Sequence, residues 1–231
     1  MKKARPSVAV TVVLALAAAL ALFTGAVAAP ILCRPFYYAH IGPLELTERT
    51  GLTREEIKTA FNEMLDYCLG ETEEFSTGVL RWTESGKSHF TDVRRLFLLD
   101  LQVLCVSLGL LAALGLLLRR GRVRPAPLLG RGPAFWAGAG LETVFLAVAA
   151  LAALDFDRAF VVFHALFFPG KDNWLFNPYE DQIINILPQV FFRNCAILIL
   201  AILTAGCAGL MAFDLIRRKS GKENSGKPQK I

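Results

Sequence analysis

The chain has 231 residues, 54% of them hydrophobic, and a mean hydropathy of +0.45. A soluble domain of that length would have too little polar surface to cover itself, so the composition excludes one and points to a membrane protein. The net charge is +5, but no basic stretch is interleaved with stacking aromatics, which excludes a nucleic-acid binder.

Residues 1–7 carry Lys2, Lys3 and Arg5 ahead of a first apolar run, residues 8–29. A helix needs about 20 residues to cross a bilayer, so this run is long enough to span. The basic start and the closing Ala26-Val27-Ala28 also resemble a cleavable signal peptide. Such a peptide has an apolar core of only about 7 to 15 residues, and a retained anchor is expected here.

Residues 30–95 are expected to form a domain outside the membrane. Thr53-Arg54-Glu55-Glu56 reads as a capping box, opening a helix that runs to about Leu69 and stops at Gly70. Ile57, Phe61, Met64, Leu65 and Cys68 fall on one face of it. That face either packs on the rest of the domain or lies on the bilayer as a cap. Gly78 to Trp82 reads as a short strand. Cys33 and Cys68 both fall outside the membrane and could pair in an oxidising exterior, although no spacing rule fixes it.

The segment leading into the second span, residues 96–118, holds His89 and Asp92. With Ser88 or Thr91 as N-cap, His89 sits at the positive end of a long helix, an environment that favours the neutral, proton-accepting imidazole. Three residues apart, His89 and Asp92 share a helical face. Asp100 falls inside the span and needs a partner or water.

Residues 119–133, rich in Arg, Pro and Gly, read as a loop without a phosphate-binding glycine pattern. The third span, residues 134–154, carries Trp136 at one edge and Glu142 near its middle, where a carboxylate serves either as structural glue or in function. Residues 155–188 form an outer loop with interfacial helices. Its apolar run around His164 is about ten residues long, too short to cross, and reads as an interfacial or re-entrant segment. Pro169-Gly170 marks a turn, Asn177-Pro178-Tyr179-Glu180 a further helix start, and Pro188 a kink or restart before the fourth span, residues 189–213. The basic tail, residues 214–231, is expected to be disordered.

Basic clusters at residues 1–7, 119–133 and 214–231 alternate with mixed or acidic segments, which puts both termini and the middle loop in the cytoplasm. The fold expected is an all-α membrane protein with four transmembrane helices and an outward-facing region between spans 1 and 2 and spans 3 and 4.

His40, His89 and His164 all fall on the outer side, the last two at membrane boundaries beside carboxylate-bearing helix starts. No nucleophile-elbow pattern is present, and Ser85 and Ser88 are weak candidates for a nucleophile. A metal held by His89, His164 and Asp92 or Asp181 is possible by ligand type, but no metal-site spacing supports it, and no metal or cofactor is expected. Two histidines without an activated serine or cysteine suit acyl transfer in which the substrate brings its own nucleophile. One imidazole takes the proton of an amine; the other, or nearby amides, stabilises the oxyanion.

The stretch Ser88-His89-Phe90-Thr91-Asp92-Val93-Arg94-Arg95-Leu96-Phe97, with Phe163-His164 and Trp174 through Phe192, resembles the bacterial lipoprotein intramolecular transacylase family. Asn177, Gln182 and Gln189 depart from that family's pattern. The resemblance implies a lipoprotein substrate diacylglycerylated on its N-terminal cysteine, whose sn-2 acyl chain moves to the α-amino group to leave an N-acyl lyso form. It implies that His89 and His164 are catalytic, that Asp92 and Asp181 orient the imidazoles, and that Trp174 walls a lipid pocket, with membrane lipid as the other partner. The expected helix end favours His89 as the base. The remaining readings are a noncatalytic membrane module that binds lipid or a partner, and a metal-dependent ester hydrolase.

Overall fold

The structure, a computed structural model, describes residues 4–225, the last six of them by backbone alone. Lys2, Lys3, Lys227 and Lys230 of the basic termini lie outside the described residues. In chain order the elements are β1 (Pro6–Ser7), α1 (Val8–Leu32), α2 (Arg34–Tyr38), α3 (Leu46–Thr50), α4 (Arg54–Leu69), α5 (Glu84–Arg119), β2 (Arg124–Pro125), α6 (Pro133–Leu154), α7 (Phe156–Phe167), a 3-10 turn (Gln182–Asn185) and α8 (Gln189–Ser225). Among the described residues four helices are long and apolar enough to cross a membrane: α1, α5, α6 and α8 as far as Lys219. Leu16, Val106 and Leu151 are among the apolar side chains they leave exposed, and lipid is the solvent that accepts such a surface. The protein is an all-α, multi-pass membrane protein.

The tail expected to be disordered from Asp214 is helical as far as Ser225, since no proline interrupts the stretch and Asp214 pairs with Arg218 one turn on, at 2.8 Å. The helix that carries the second span also starts earlier than the Ser88 or Thr91 cap expected, at Glu84.

The chain divides into two compact units. One combines the residues up to Ala26 with Val103–Ala149 and the chain from Leu200 onward. Here β1 and β2 pair in parallel, a two-residue ladder in an otherwise helical chain. Trp136 Nε1 donates to the Leu128 carbonyl at 3.0 Å, and Phe23 meets Phe145 with ring centroids 5.1 Å apart. Helices α6 and α8 approach closely at Gly138, where a Cβ would stand 2.7 Å from the Cys207 carbonyl oxygen.

The second unit combines Val27–Gln102 with Ala150–Ile199. Its core draws on both stretches: Tyr37, Ile57, Phe61, Leu65 and Phe90 are buried with Ile183, Ile186 and Phe191. The capping box forms as expected. Thr53 N donates to Glu56 Oε2 at 2.8 Å and Glu56 N donates back to Thr53 Oγ1 at 3.2 Å. All five residues of the predicted apolar face of α4 are buried, Phe61 stacking on Tyr37 at 3.7 Å between centroids. That face packs on its own unit and is not free to lie on a bilayer. Burial pushes the Cys68 thiol up to about 12, while Cys33 is exposed, and both are free.

Two local expectations change. Gly78 to Trp82 is not a strand, because side chains take up its polar groups before a ladder can: Glu63 Oε2 accepts from Gly78 N at 2.7 Å and Thr77 Oγ1 donates to the Leu80 carbonyl at 2.8 Å. Asn177 caps only a single turn, its Oδ1 accepting from Tyr179 N at 3.1 Å, after which the chain tightens into the 3-10 turn. Pro188 acts as a restart, with α8 beginning at the next residue.

Candidate active site

All five predicted site residues belong to the second unit. The first turn of α5 is set by a residue far along the chain. Asp181 Oδ1 accepts from Thr83 N at 2.7 Å, and Thr83 Oγ1 accepts from Gly86 N at 3.1 Å, so that Thr83 caps the helix. The carboxylate fits there because residue 86 has no side chain; a Cβ on Gly86 would lie 2.2 Å from Asp181 Oδ1. Asp181 therefore anchors the turn that carries His89 and hydrogen-bonds neither imidazole. His89 is the sixth residue of α5, inside its second turn and not at the helix end expected.

Helix α7, capped by Asp155 Oδ1 accepting from Arg158 N at 2.9 Å, carries His164 on its buried side. The two imidazoles meet with ring centroids 5.9 Å apart and planes 29° from parallel. They are 6% and 7% exposed, low enough to exclude bulk water from the pair. Phe168 and Phe176 stand edge-on to His89 at 5.0 Å and 5.4 Å. Trp174 stacks on His164 at 4.4 Å and donates its Nε1–H to the Lys171 carbonyl at 3.1 Å, which fixes the indole over the ring. His40 is not part of this group; it packs on Phe36 and Phe191.

The hydrogen bonds define the protonation of one ring. His164 Nδ1 lies 2.8 Å from the Phe160 carbonyl, which can only accept, so Nδ1 carries the proton and Nε2 holds the free lone pair. Burial holds the His164 pKa below its usual value, and the bond to Phe160 opposes that shift. In His89 it is Nδ1 that is buried without a partner at hydrogen-bonding geometry; the Asn173 side chain, whose Oδ1 is likewise buried and unpaired, acts on the ring.

Asp92 also binds neither imidazole. Its Oδ2 accepts from Lys171 Nζ at 2.5 Å and Asn173 Nδ2 at 3.4 Å, and its Oδ1 from Arg95 Nη1 at 3.5 Å. With Asp92 and Asp181 engaged in this way, no group of three or more metal-ligating side chains forms among the described residues. Sequence reasoning missed Thr83, Lys171 and Asn173. Of these, only Thr83 leaves a trace, as a residue able to cap five positions before Ser88.

Among proteins of known structure, this fold resembles the membrane integral lipoprotein intramolecular transacylase Lit from Bacillus cereus, solved in meso. The two share 24% sequence identity with a TM-score of 0.81, over 94% of this chain and 97% of that one. Two structures of the Bacillus cereus protein with a single histidine replaced, by arginine or by alanine, match at 23% identity and a TM-score of 0.74. They cover 92% of this chain and 93% and 94% of theirs. No curated protein matches. The family model described as lipoprotein intramolecular transacylase Lit matches residues 12–192, most of the chain and the whole of the site, and the chain belongs to that family.

Proposed function

We propose that this protein moves the sn-2 acyl chain of a diacylglyceryl-cysteine lipoprotein to the α-amino group of the same cysteine. The observation that carries the reading is the pair of buried imidazoles, 5.9 Å apart, one of them with its tautomer fixed by a carbonyl. His164 Nε2 takes the proton of the amine as its nitrogen attacks the ester carbonyl. The Phe160 carbonyl favours the imidazolium that results, since both ring nitrogens then donate. His89, with Nδ1 buried, presents Nε2 to the substrate and as the Nε2–H tautomer donates to the oxyanion. The carbon–oxygen bond to the glyceryl group then breaks, and its oxygen takes the proton back from His164. The products are an N-acyl amide and a free sn-2 hydroxyl, with every proton accounted for. The earlier start of α5 removes the reason to make His89 the base, and the fixed tautomer favours His164.

Nucleophile and ester belong to one molecule, so the principal contribution of the site is orientation and proton movement. The alternation of basic clusters supports a bacterial cytoplasmic membrane protein with both termini inside and this site facing outward. The test is mass spectrometry of a reporter lipoprotein in a host lacking N-acylation. Wild type yields the N-acyl lyso form, and His89→Ala and His164→Ala each lower its yield at least about a hundredfold at normal membrane levels. Free fatty acid as the product, or full activity in either variant, rules the mechanism out.

A further inference from the structure

Asp92 follows His89 by one turn on α5 and is 8% exposed; its charge acts on the His89 ring, yet it hydrogen-bonds neither imidazole. What neutralises it is more exposed: the side chains of Lys171 and Arg95 are 42% and 76% exposed, against 10% for Asp92. Two clefts share this ion pair. A polar one of about 350 Å3 is lined by Lys87, Ser88 and Thr91, and a second of about 260 Å3 by Leu96, Phe167 and Phe168; Asp92, Arg95 and Lys171 form part of both walls.

We propose that Asp92 binds the α-ammonium group of the incoming lipidated cysteine, and that Lys171 is a place-holder displaced when the substrate enters. The proposal rests on the transacylase reading above for the identity of the substrate. In that substrate the carbon bearing the amine leads one way into polypeptide and the other way, through sulfur, into lipid. An ammonium at the shared wall therefore directs the peptide into the polar cleft and the glyceryl ester into the apolar one. Lysine and an N-terminal amine present the same three-donor head, so the position of Nζ, 2.5 Å from Asp92 Oδ2, marks where the substrate nitrogen sits. An α-amino group titrates at about 7.7 to 8.0 and is mostly cationic at neutral pH, so the site holds it first as a cation; one proton then leaves to water through the open polar cleft, and the neutral amine gives the next to His164 as it attacks. Exchanging one ammonium for another keeps the carboxylate neutralised throughout and avoids a buried unpaired charge. Asp92 lies one helical turn from His89, so the nitrogen is delivered beside the imidazole pair.

The experiment uses the full chain in lipid nanodiscs. Binding is measured for a synthetic dialkylglyceryl-cysteine lipopeptide, whose ether links carry no transferable acyl chain, and for its desamino analogue, in which hydrogen replaces the amine. Wild type is expected to prefer the amine form by about tenfold or more, the range of a charge-assisted hydrogen bond. Asp92→Asn should reduce that preference to about twofold. Lys171→Met, which removes the competing ammonium, should tighten the amine form about threefold and leave the desamino form unchanged. If the Asp92–Lys171 pair merely latches the loop shut, both variants shift both ligands in the same direction; that result, or a preference retained in Asp92→Asn, overturns the assignment. Because binding is read without turnover, the two readings separate. Selective binding through Asp92 with free fatty acid as the product upholds the site and removes transacylation. N-acyl lyso product with the preference intact in Asp92→Asn removes the site alone.

Discussion

At the scale of single residues, the proposed mechanism depends on His164 being neutral with its lone pair on Nε2. Burial lowers its pKa from an unfolded value near 6.5. Since the base works only unprotonated, kcat/KM, once corrected for the fraction of substrate amine that is neutral, should hold level from pH 8 to below about 6.5 and fall on the acid side only as pH passes through the lowered value. The same shift is a stability statement. Below the unfolded pKa the unfolded chain binds a proton that the folded one refuses, so this contribution is complete above about pH 6.5 and is lost as pH falls through the window down to the folded pKa. An acid limb that remains at or above pH 7 after that correction, measured on a synthetic diacylglyceryl-cysteine lipopeptide, contradicts the role given to His164. Both histidines could be picked from the sequence because imidazoles at membrane boundaries are few and chemically pointed. The carbonyl that selects the tautomer could not, since any helix offers one four residues back and only coordinates reveal whether the ring turns to it.

At the scale of elements, the start of α5 decides where His89 points, and local sequence could not locate it. Ser88, Thr91 and Thr83 are all competent caps by residue type; Thr83 takes the role because Asp181, 98 positions along the chain, accepts from both its backbone and its hydroxyl. The same carboxylate also explains why the helix start expected at Asn177 ends after one turn: Asp181 faces Thr83, and Gln182 N bonds the Arg81 carbonyl at 2.9 Å. By contrast, the capping box of α4 was legible because its partners stand three residues apart. Gly86 is the position where this arrangement can be tested. Gly86→Ala places a Cβ against Asp181 and forces the carboxylate off the cap. The lost cap costs about 1 kcal/mol of stability, offset in part by up to about 1 kcal/mol from removing a helix glycine, with a loss of about tenfold or more in kcat/KM as His89 shifts. Thermal unfolding and kinetics of one preparation measure both. A variant that loses stability but keeps full activity shows that the Asp181 anchor does not position the imidazole.

At the scale of the whole molecule, hydropathy alone revealed four spans, because a run of about 20 apolar residues has few other readings. It did not reveal that the segments before the second span and after the third fold as one unit, since Ile183, Ile186 and Phe191 join the core of α4 through contacts more than a hundred residues apart. Nor did it show which glycines hold helices together. In a membrane, apolar association gives little drive between helices, and small residues that let backbones approach supply the packing. Helix α6 carries an internal comparison. A Cβ at Gly138 would meet the Cys207 carbonyl oxygen at 2.7 Å and Met211 Cγ at 3.1 Å, whereas one at Gly140 would meet nothing within 4 Å. The carbonyl belongs to α8 backbone and cannot turn aside, so Gly138→Ala should separate α6 from α8 at a cost of about 1 to 3 kcal/mol. Gly140→Ala should be neutral or stabilising by up to about 1 kcal/mol, the ordinary gain from removing a helix glycine. Thermal unfolding of the two variants in the same detergent decides the matter: equal shifts, or a larger loss at Gly140, would mean that α6 and α8 do not pack through Gly138.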